Sequence, residues 1–120
     1  MVEATCHCGN VNIQTRELPE FVISCNCSIC FRSGALWGYY TAEEVDVRCE
    51  TEPTAAYIWG DEMIAFHHCQ VCGCLTHYTS TEKAERTRTV INFRMVDRGI
   101  TESIRVRKFD GAGTWTFVDE

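Results

Sequence analysis

Three cysteines fall within six consecutive positions of the sequence, in the segment that reads CNCSIC. Cys25 and Cys27 form a CxC pair, and Cys27 and Cys30 form a CxxC pair. Either spacing is typical of two thiolates that bind the same metal ion. A structural zinc site is closed by four protein ligands, whereas a catalytic zinc site has three and keeps one position for water or substrate. The segment is therefore one ligand short of a closed site.

Four further cysteines occur as two close pairs that lie far apart in the chain. Cys6 and Cys8 form a CxC pair, and side chains at i and i+2 of an extended segment leave the same face. Cys69 and Cys72 form a CxxC pair followed by Gly73, which tolerates the positive φ that a tight turn needs. We predict that these four cysteines hold a structural zinc ion, which would contribute on the order of 10 kcal/mol to folding.

Two cysteines are left after these assignments. Cys49 follows Val45 and Val47 at alternate positions of a β-like segment, so we expect it to be a small, buried apolar side chain. Cys74 directly follows the CxxCG turn. It either completes a second four-cysteine site with the CNCSIC segment, or it is a spare thiol and the segment forms a three-cysteine site with an open position. The spacing is compatible with both alternatives.

The cysteine content limits the class of protein. Nine of the 120 residues are cysteine, a density that usually reflects either a disulfide framework or metal binding. The count is odd, the cysteines form close pairs, and the first residues lack the basic and apolar regions of a signal peptide. We therefore expect metal binding in a cytoplasmic protein. No stretch approaches the roughly 20 apolar residues of a membrane helix, so no membrane partner is expected.

The charge argues against nucleic acid as a partner. The formal net charge is −6 and the pI is about 5.2, whereas proteins that bind nucleic acid are usually basic. Acidic residues concentrate between residues 41 and 62, and basic residues concentrate between residues 83 and 108. The basic segment fits either a surface for a small anionic molecule or a solvated strand face. The sequence leaves the oligomeric state open.

The chain has the pattern of short β-strands separated by turns. The segments are rich in β-branched and aromatic residues, and turn-forming residues separate them. The predicted strands span residues 11–15, 21–25, 35–41, 45–49, 54–59, 63–69, 75–80, 86–96 and 103–109. Only one short helical turn is predicted, at residues 41–45. We therefore expect a single mostly β domain over residues 1–120, a zinc-stapled sandwich or partly open barrel.

Five segments carry a resemblance to a known family: CHCG, CNCSICFRSGAL, FHHCQVCGC, VINFRMVD and VRKFDGAGTW. Together they resemble the glutathione-dependent formaldehyde-activating enzyme family, which also includes centromere protein V, and the resemblance runs over nearly the whole chain. The resemblance implies a small, mostly β fold of the Mss4-like type. It also implies a catalytic zinc ion on Cys25, Cys27 and Cys30, and a structural zinc ion on the four paired cysteines.

The reaction of this family condenses formaldehyde with glutathione to S-hydroxymethylglutathione, which is a carbon–sulfur lyase reaction run in reverse. The resemblance therefore implies a zinc-dependent enzyme that joins a glutathione-like thiol to formaldehyde or a related aldehyde. Cys25, Cys27 and Cys30 would be its catalytic residues. Two zinc ions are expected, and the sequence leaves undecided whether the second site is fully or partly occupied. The alternatives are a zinc-stapled binding or scaffold module without activity, and a thiol-based redox sensor.

Four residues near the CNCSIC segment have no fixed role at this stage. Arg32 either offers its guanidinium to a substrate carboxylate or lies exposed on the surface. Trp37, Tyr39 and Tyr40 are expected to lie in the core of a strand.

Overall fold

Two β-sheets account for most of the computed structural model, which describes residues 1–118. One sheet consists of β1 (Val2–Thr5), β2 (Val11–Thr15) and β5 (Val45–Cys49), with β2 in the middle. The other consists of β3 (Phe21–Cys25), β4 (Trp37–Thr41), β6 (Ala55–Ile58), β7 (Ile64–His68), β8 (Leu75–Ser80), β9 (Arg88–Asn92) and β10 (Arg105–Phe109). Its order is β10-β3-β4-β9-β8-β7-β6. The predicted mostly β fold is confirmed, and the sheets do not close into a barrel.

Four short helical segments connect these strands. They are the helices α1 (Ser28–Ser33) and α2 (Arg98–Ser103), and two 3-10 turns at Ala42–Glu44 and Phe93–Met95. Within residues 1–118, no helix has the length and apolar character needed to cross a membrane.

The parallel pair of β3 and β10 positions the segment that follows β10. The other neighbouring strands in both sheets run antiparallel. β10 lies beside β3 in a register that puts Phe109 opposite Cys25. The chain therefore leaves β10 next to the CNCSIC segment, and residues 110–117 continue alongside it.

One core cluster lies between the two sheets. Val11 and Ile13 of β2 pack in it with Phe93, which follows β9, and all three side chains are almost completely buried. Cys6 and Cys69 belong to the same cluster. Apolar packing and the paired cysteines thus join the two sheets at one place.

A second core cluster lies on the opposite face of the larger sheet. Val90 and Ile91 are neighbours on β9, so their side chains leave opposite faces, and Ile91 belongs to the first cluster whereas Val90 belongs to the second. Trp37 and Tyr78 pack beside Val90, together with Cys30 of α1. The CNCSIC segment therefore rests on this second core.

The strand predictions are accurate in position but incomplete. Residues 11–15, 21–25, 45–49 and 75–80 form strands with the predicted bounds. The predicted strand at residues 86–96 ends at Asn92, because the side chain of Asn92 accepts a hydrogen bond from the Arg94 N–H and starts a 3-10 turn. β1 was not predicted.

The prediction of a single helical turn is right at Ala42–Glu44 and wrong elsewhere, because α1 and α2 also form. Gly34 ends α1 in the left-handed conformation, with a φ of 67° and its N–H bonded to the Cys30 carbonyl. Asp97 begins α2 by accepting a hydrogen bond from the Gly99 N–H. Local caps therefore define two helices of six residues each.

The prediction that Cys49 is buried is wrong. Cys49 ends β5, which pairs with β2 along one side only and lies at the edge of the smaller sheet. The four residues after Val45 on this strand are all exposed. Alternation of apolar residues does not bury a strand that no second layer covers.

The contact between Gly38 and Phe93 gives a test of the core. A Cβ atom on Gly38 would overlap the ring of Phe93, which is fully buried. We expect Gly38→Ala to lower the free energy of unfolding by about 1–3 kcal/mol, because overpacked cores must shift backbone or rotamers. Denaturant unfolding measures this change.

The compensating substitution Phe93→Leu serves as the control. The double variant should lose less stability than the sum of the two single variants, because the smaller side chain removes the overlap. Additive losses would contradict this account of the core.

Candidate metal centres and the adjoining cavity

The first cysteine group lies where the turn after β1 meets the turn after β7. The Sγ atoms of Cys6 and Cys8 are 3.7 Å apart, and those of Cys8 and Cys69 are 3.6 Å apart. With Cys72, all four Sγ atoms lie within 4.8 Å of one another. Sulfur atoms on one tetrahedral zinc ion, at about 2.3 Å from the metal, would be about 3.8 Å apart. The four thiols therefore fit a closed zinc site in both number and spacing.

Backbone N–H groups around this group favour thiolates over thiols. The N–H of Val11 lies 3.2 Å from Cys6 Sγ, and those of Val71 and Cys72 lie 3.4 and 3.5 Å from Cys69 Sγ. The N–H of Cys74, and then that of Cys8, lower the pKa of Cys72 to about 5. Zinc binds the thiolate form of cysteine, so these donors suit Cys69 and Cys72 to a metal ion. The Asn10 N–H lowers the pKa of Cys8, but burial and hydrogen bonds with the neighbouring cysteines raise it to about 12.

Asn10 is a supporting residue that sequence reasoning missed. Its buried amide nitrogen lies 3.6 Å from Cys69 Sγ and donates to the Glu52 carbonyl at 2.8 Å. Its amide oxygen accepts from the N–H groups of Thr51 and Glu52. Asn10 thus connects the loop after β5 to the first cysteine group. Its position directly after the CHCG motif was the one sequence feature that could have indicated this role.

The second cysteine group contains the three residues of the CNCSIC segment. Cys25 ends β3, Cys27 precedes α1 and Cys30 lies within α1. Their Sγ atoms lie within 4.8 Å of one another, and among residues 1–118 no fourth His, Cys, Asp or Glu ligand joins them. The structure therefore brings together the three predicted residues as a separate group.

Hydrogen bonds and burial set the properties of this second group. The indole Nε1 of Trp37 donates to Cys30 Sγ at 3.3 Å, and burial raises the pKa of Cys30. Burial alone would raise the pKa of Cys27 as well, but the N–H groups of Cys30 and Ile29 in the first turn of α1 bring that pKa below its usual value. Cys27 is the thiol of the group most readily converted to thiolate.

Cys74 lies beside the first group and not in the second. Its side chain is hydrogen-bonded to that of Cys72 and interacts electrostatically with Cys6. The second group therefore has three sulfur atoms in the described structure, and Cys74 is an outer neighbour of the four-sulfur group.

A cavity of about 900 Å³ adjoins the second group. All three cysteines of the CNCSIC segment line it, and eight of its lining residues are aromatic. Its charged lining residues, within the described part of the chain, are Arg88 and Asp61. The three-sulfur group thus faces a large, mostly apolar space, which is the usual character of a small-molecule site.

The three aromatic residues of β4 divide between core and cavity. Trp37 and Tyr40 are buried as expected, and the Tyr40 hydroxyl donates to the Glu17 carbonyl at 2.7 Å. Tyr39 is 40% exposed and lines the cavity, so the prediction that it lies in the core is wrong. The hydroxyl of Tyr78 donates to the hydroxyl of Tyr39 at 3.0 Å, and burial raises the pKa of both groups. Both phenols therefore keep their protons near neutral pH.

Arg32 points back along its own helix rather than into the cavity. Its Nη1 atom donates to the Ser28 carbonyl at 2.8 Å, and the residue is exposed. Arg88 is instead the cation at the cavity wall, 5.7 Å from the centre of the Tyr39 ring. Sequence position next to the cysteines did not identify it, because β9 comes to the site through the fold.

Residues 110–117 form a wall of the site, which sequence reasoning did not assign. A Cβ atom on Gly111 would lie 2.7 Å from Cys25 Sγ, so only glycine lets the backbone pass this close. Asp110 accepts from the Asn26 side chain at 2.9 Å and from the Thr114 N–H at 3.0 Å. These bonds hold Trp115 against the cavity with a positive φ of 59°.

A second, smaller cavity of about 310 Å³ touches the same cysteines from another side. Cys25 and Cys30 line it, and so do the cations Arg94 and Lys108. The cysteine group is therefore in contact with an aromatic cavity and with a basic one.

Comparison with known proteins agrees with the motifs and with the fold. The family model of the glutathione-dependent formaldehyde-activating enzyme matches residues 1–109. The chain belongs to this family. A crystal structure of a Rhodobacter sphaeroides protein superposes with a TM-score of 0.69 and 25% sequence identity, over 87% of this chain and 98% of the other. No curated protein gives a significant match. The family membership predicted from the motifs is thus confirmed.

Substitution of two exposed cysteines, one inside the four-sulfur group and one outside both groups, tests whether this group holds a metal ion. Cys8 belongs to the group, whereas Cys49 belongs to neither cysteine group. If this group holds the zinc ion that its spacing fits, Cys8→Ser should lose one zinc ion per chain and lower Tm on the order of 10 °C or more, because structural zinc contributes directly to folding. Metal analysis and thermal unfolding measure both effects.

Cys49→Ser is the matched control and should keep the zinc content and the Tm of the parent protein. Equal behaviour of the two variants would contradict the assignment of the four-sulfur group.

The wall formed by residues 110–117 gives a further test. Hydrogen bonds from the Thr114 N–H and then from Asn26 hold the pKa of Asp110 below its usual range. Asp110→Asn should loosen this segment, because the amide keeps one acceptor oxygen and its nitrogen cannot accept, so either the bond from Asn26 or the bonds from Thr114 are lost. We expect several-fold faster hydrogen exchange at residues 111–117, measured by mass spectrometry.

Asp97→Asn is the control, since asparagine also caps a helix and Asp97 lies at α2. Unchanged exchange in Asp110→Asn would show that other contacts hold the wall.

Proposed function

We propose that this protein is a zinc-dependent carbon–sulfur lyase that joins an aldehyde to glutathione or a similar thiol. The single observation that carries the proposal is the arrangement of the second cysteine group. Three sulfur atoms lie within 4.8 Å of one another and line a cavity of about 900 Å³, with no fourth protein ligand among the described residues. Membership of the formaldehyde-activating family supports this reaction.

Zinc is the metal we propose for both groups, because thiolates are soft ligands that suit it. Cys6, Cys8, Cys69 and Cys72 would hold a structural ion. Cys25, Cys27 and Cys30 would hold a catalytic ion. Zinc at such an open site lowers the pKa of a thiol and polarises a carbonyl oxygen.

The residues around the second group keep its three sulfur atoms in place. Trp37 donates its indole N–H to Cys30 Sγ, and the Cys27 N–H lies 3.4 Å from Cys25 Sγ. Gly111 brings the backbone against Cys25. A catalytic ligand set needs such support, because small displacements of the reacting groups cost much of the rate.

Tyr39 is the residue that we propose as hydrogen-bond donor to the aldehyde oxygen. Its hydroxyl accepts the bond from Tyr78, so its own proton is free for another acceptor in the cavity that both residues line. Its raised pKa keeps this proton in place at neutral pH. Tyr39 is thus suited to hydrogen-bond the aldehyde oxygen and to support the alkoxide that develops there.

The aromatic walls and the charged residues would orient the substrates. Aromatic side chains exclude water from the reacting atoms, which strengthens the polar interactions inside the cavity. Arg88 can pair with a carboxylate of the thiol. Asp61 can pair with its ammonium group.

The reaction is an addition in which all atoms are retained. The thiol sulfur forms a bond to the carbonyl carbon, the C=O double bond becomes a single C–O bond, and the proton of the thiol ends on that oxygen. The reverse reaction breaks the C–S bond and returns thiol and aldehyde. Neither direction needs an oxidant or a reductant.

Substitution of the central cysteine tests this proposal. We expect Cys27→Ala to reduce the catalysed rate at least about 100-fold, since metal-assisted charge stabilisation is worth several kcal/mol. The domain should remain folded, because the four-sulfur group is intact. Two-dimensional exchange NMR of formaldehyde with glutathione measures the rate above the spontaneous reaction.

Cys49→Ala is the control and should keep the activity of the parent protein. Full activity of Cys27→Ala would contradict the assigned site, and absence of acceleration by the parent protein with formaldehyde and with larger aldehydes alike would contradict the reaction.

A further inference from the structure

The size and lining of the larger cavity do not match formaldehyde. Formaldehyde has one carbon and one oxygen atom, whereas the cavity measures about 900 Å³, at the upper end of the range of drug-sized ligand sites. A reactant this small gains nothing from aromatic walls that it cannot touch. The structure thus provides apolar contact surface that the reaction of formaldehyde does not use.

Glutathione does not account for this surface either. It is a tripeptide with two carboxylates, an ammonium group and two amides. The larger cavity offers one cation and one anion within its described lining, against eight aromatic residues. The smaller cavity, with Arg94 and Lys108, is better suited to carboxylates and is lined by two of the three cysteines, Cys25 and Cys30. Arg88 and Asp61 can still pair with charged groups of the thiol, but the eight aromatic residues are left for the other reactant.

Two aromatic groups face this space from different parts of the fold. Trp37 and Tyr78 pack with ring centres 4.8 Å apart on the larger sheet, and Phe109 and Trp115 pack with ring centres 5.0 Å apart at the end of β10. All four residues line the cavity. The two groups therefore contribute rings to the lining of one cavity.

Two tryptophans at the cavity are more exposed than such side chains normally are. Trp59 is 43% exposed and Trp115 is 69% exposed, and both line the cavity. Clusters of exposed apolar side chains mark binding sites in small proteins. Trp115 also has a positive φ, a conformation that costs energy in a residue with a side chain and is found at functional sites.

We propose that the aldehyde substrate carries an apolar group of at least the size of an aromatic ring, which binds between Trp59 and Trp115. This inference rests on the proposed function and names the aldehyde class. The thiol sulfur bonds to the carbonyl carbon of this aldehyde, and the thiol proton ends on the oxygen of the resulting hemithioacetal. The ring-bearing group takes no part in the chemistry and supplies binding energy.

Catalysis with two aldehydes provides the first test. Exchange NMR with glutathione compares phenylacetaldehyde with formaldehyde, each relative to its spontaneous reaction. We expect kcat/KM to be at least about tenfold higher for phenylacetaldehyde, because an apolar pocket gains roughly tenfold or more for each added methylene group. Preference for formaldehyde would overturn the inference.

Variants of the cavity wall provide the second test. Trp115→Ala should lower kcat/KM for phenylacetaldehyde about tenfold and change that for formaldehyde little, since only the larger aldehyde reaches the ring. Trp59→Ala should act in the same way from a different segment. Tyr57→Ala is the control, because Tyr57 is an exposed aromatic residue on β6 outside the cavity lining. Equal losses for both aldehydes would overturn the inference.

Binding of an unreactive analogue separates the aldehyde class from the reaction. The three tryptophans of the chain all line the cavity, so 2-phenylethanol should change their fluorescence, and Trp115→Ala should weaken this binding. Binding of the alcohol without acceleration of any aldehyde would refute the proposed reaction and support an apolar ligand. Acceleration of formaldehyde without binding of the alcohol would support the reaction and refute the aldehyde class.

Discussion

The convergence of four cysteine sulfurs between the two sheets is the constraint on which the rest of the structure depends. Cys6 and Cys8 follow a strand of the smaller sheet, and Cys69 and Cys72 follow a strand of the larger one. The core between the sheets contains Cys6 and Cys69 themselves. A zinc ion held by these thiolates would close a loop of some sixty residues and fix the packing of one sheet on the other. The position of the larger sheet then determines the second group.

The two cysteine groups differ in how the fold completes them. The first receives ligands from two distant turns and donors from the backbone, and the amide of Asn10 closes it on one side. The second receives all three sulfurs from one segment, and its surroundings are a cavity and the wall formed by residues 110–117. A fourth position that opens into a cavity is what separates catalytic from structural zinc sites. The two groups therefore have the ligand numbers of a closed site and of an open site.

Short-range patterns predicted most of the fold and both cysteine groups. β-branched residues and turn signals located β2, β3, β5 and β8, because strand preference is carried by neighbouring residues. The six residues of α1 and of α2 are too few to show a helical period, and caps such as Gly34 define them only in three dimensions. Cys49 was misjudged because alternation cannot tell an edge strand from a covered one.

The parts of the site that sequence reasoning missed all depend on long-range pairing. Trp115 and Gly111 come to the cysteines through the parallel pairing of β10 with β3, and no local signal predicts which strands will be neighbours. Arg88 replaces Arg32 as the cation of the cavity for the same reason. The position of Cys74 could not be predicted from the spacing of the cysteines, which was compatible with membership of the second group or of neither. The folded turn brings it beside Cys72.

The central claim is that one cysteine group is closed and the other is open. A crystal structure of the zinc-loaded protein, with anomalous difference maps at the zinc edge, tests it most directly. The account predicts two zinc ions per chain, one bound by Cys6, Cys8, Cys69 and Cys72, and the other by Cys25, Cys27 and Cys30 with a water molecule in its fourth position. A single ion, or a second ion whose fourth ligand is Cys74 or another side chain, would contradict it.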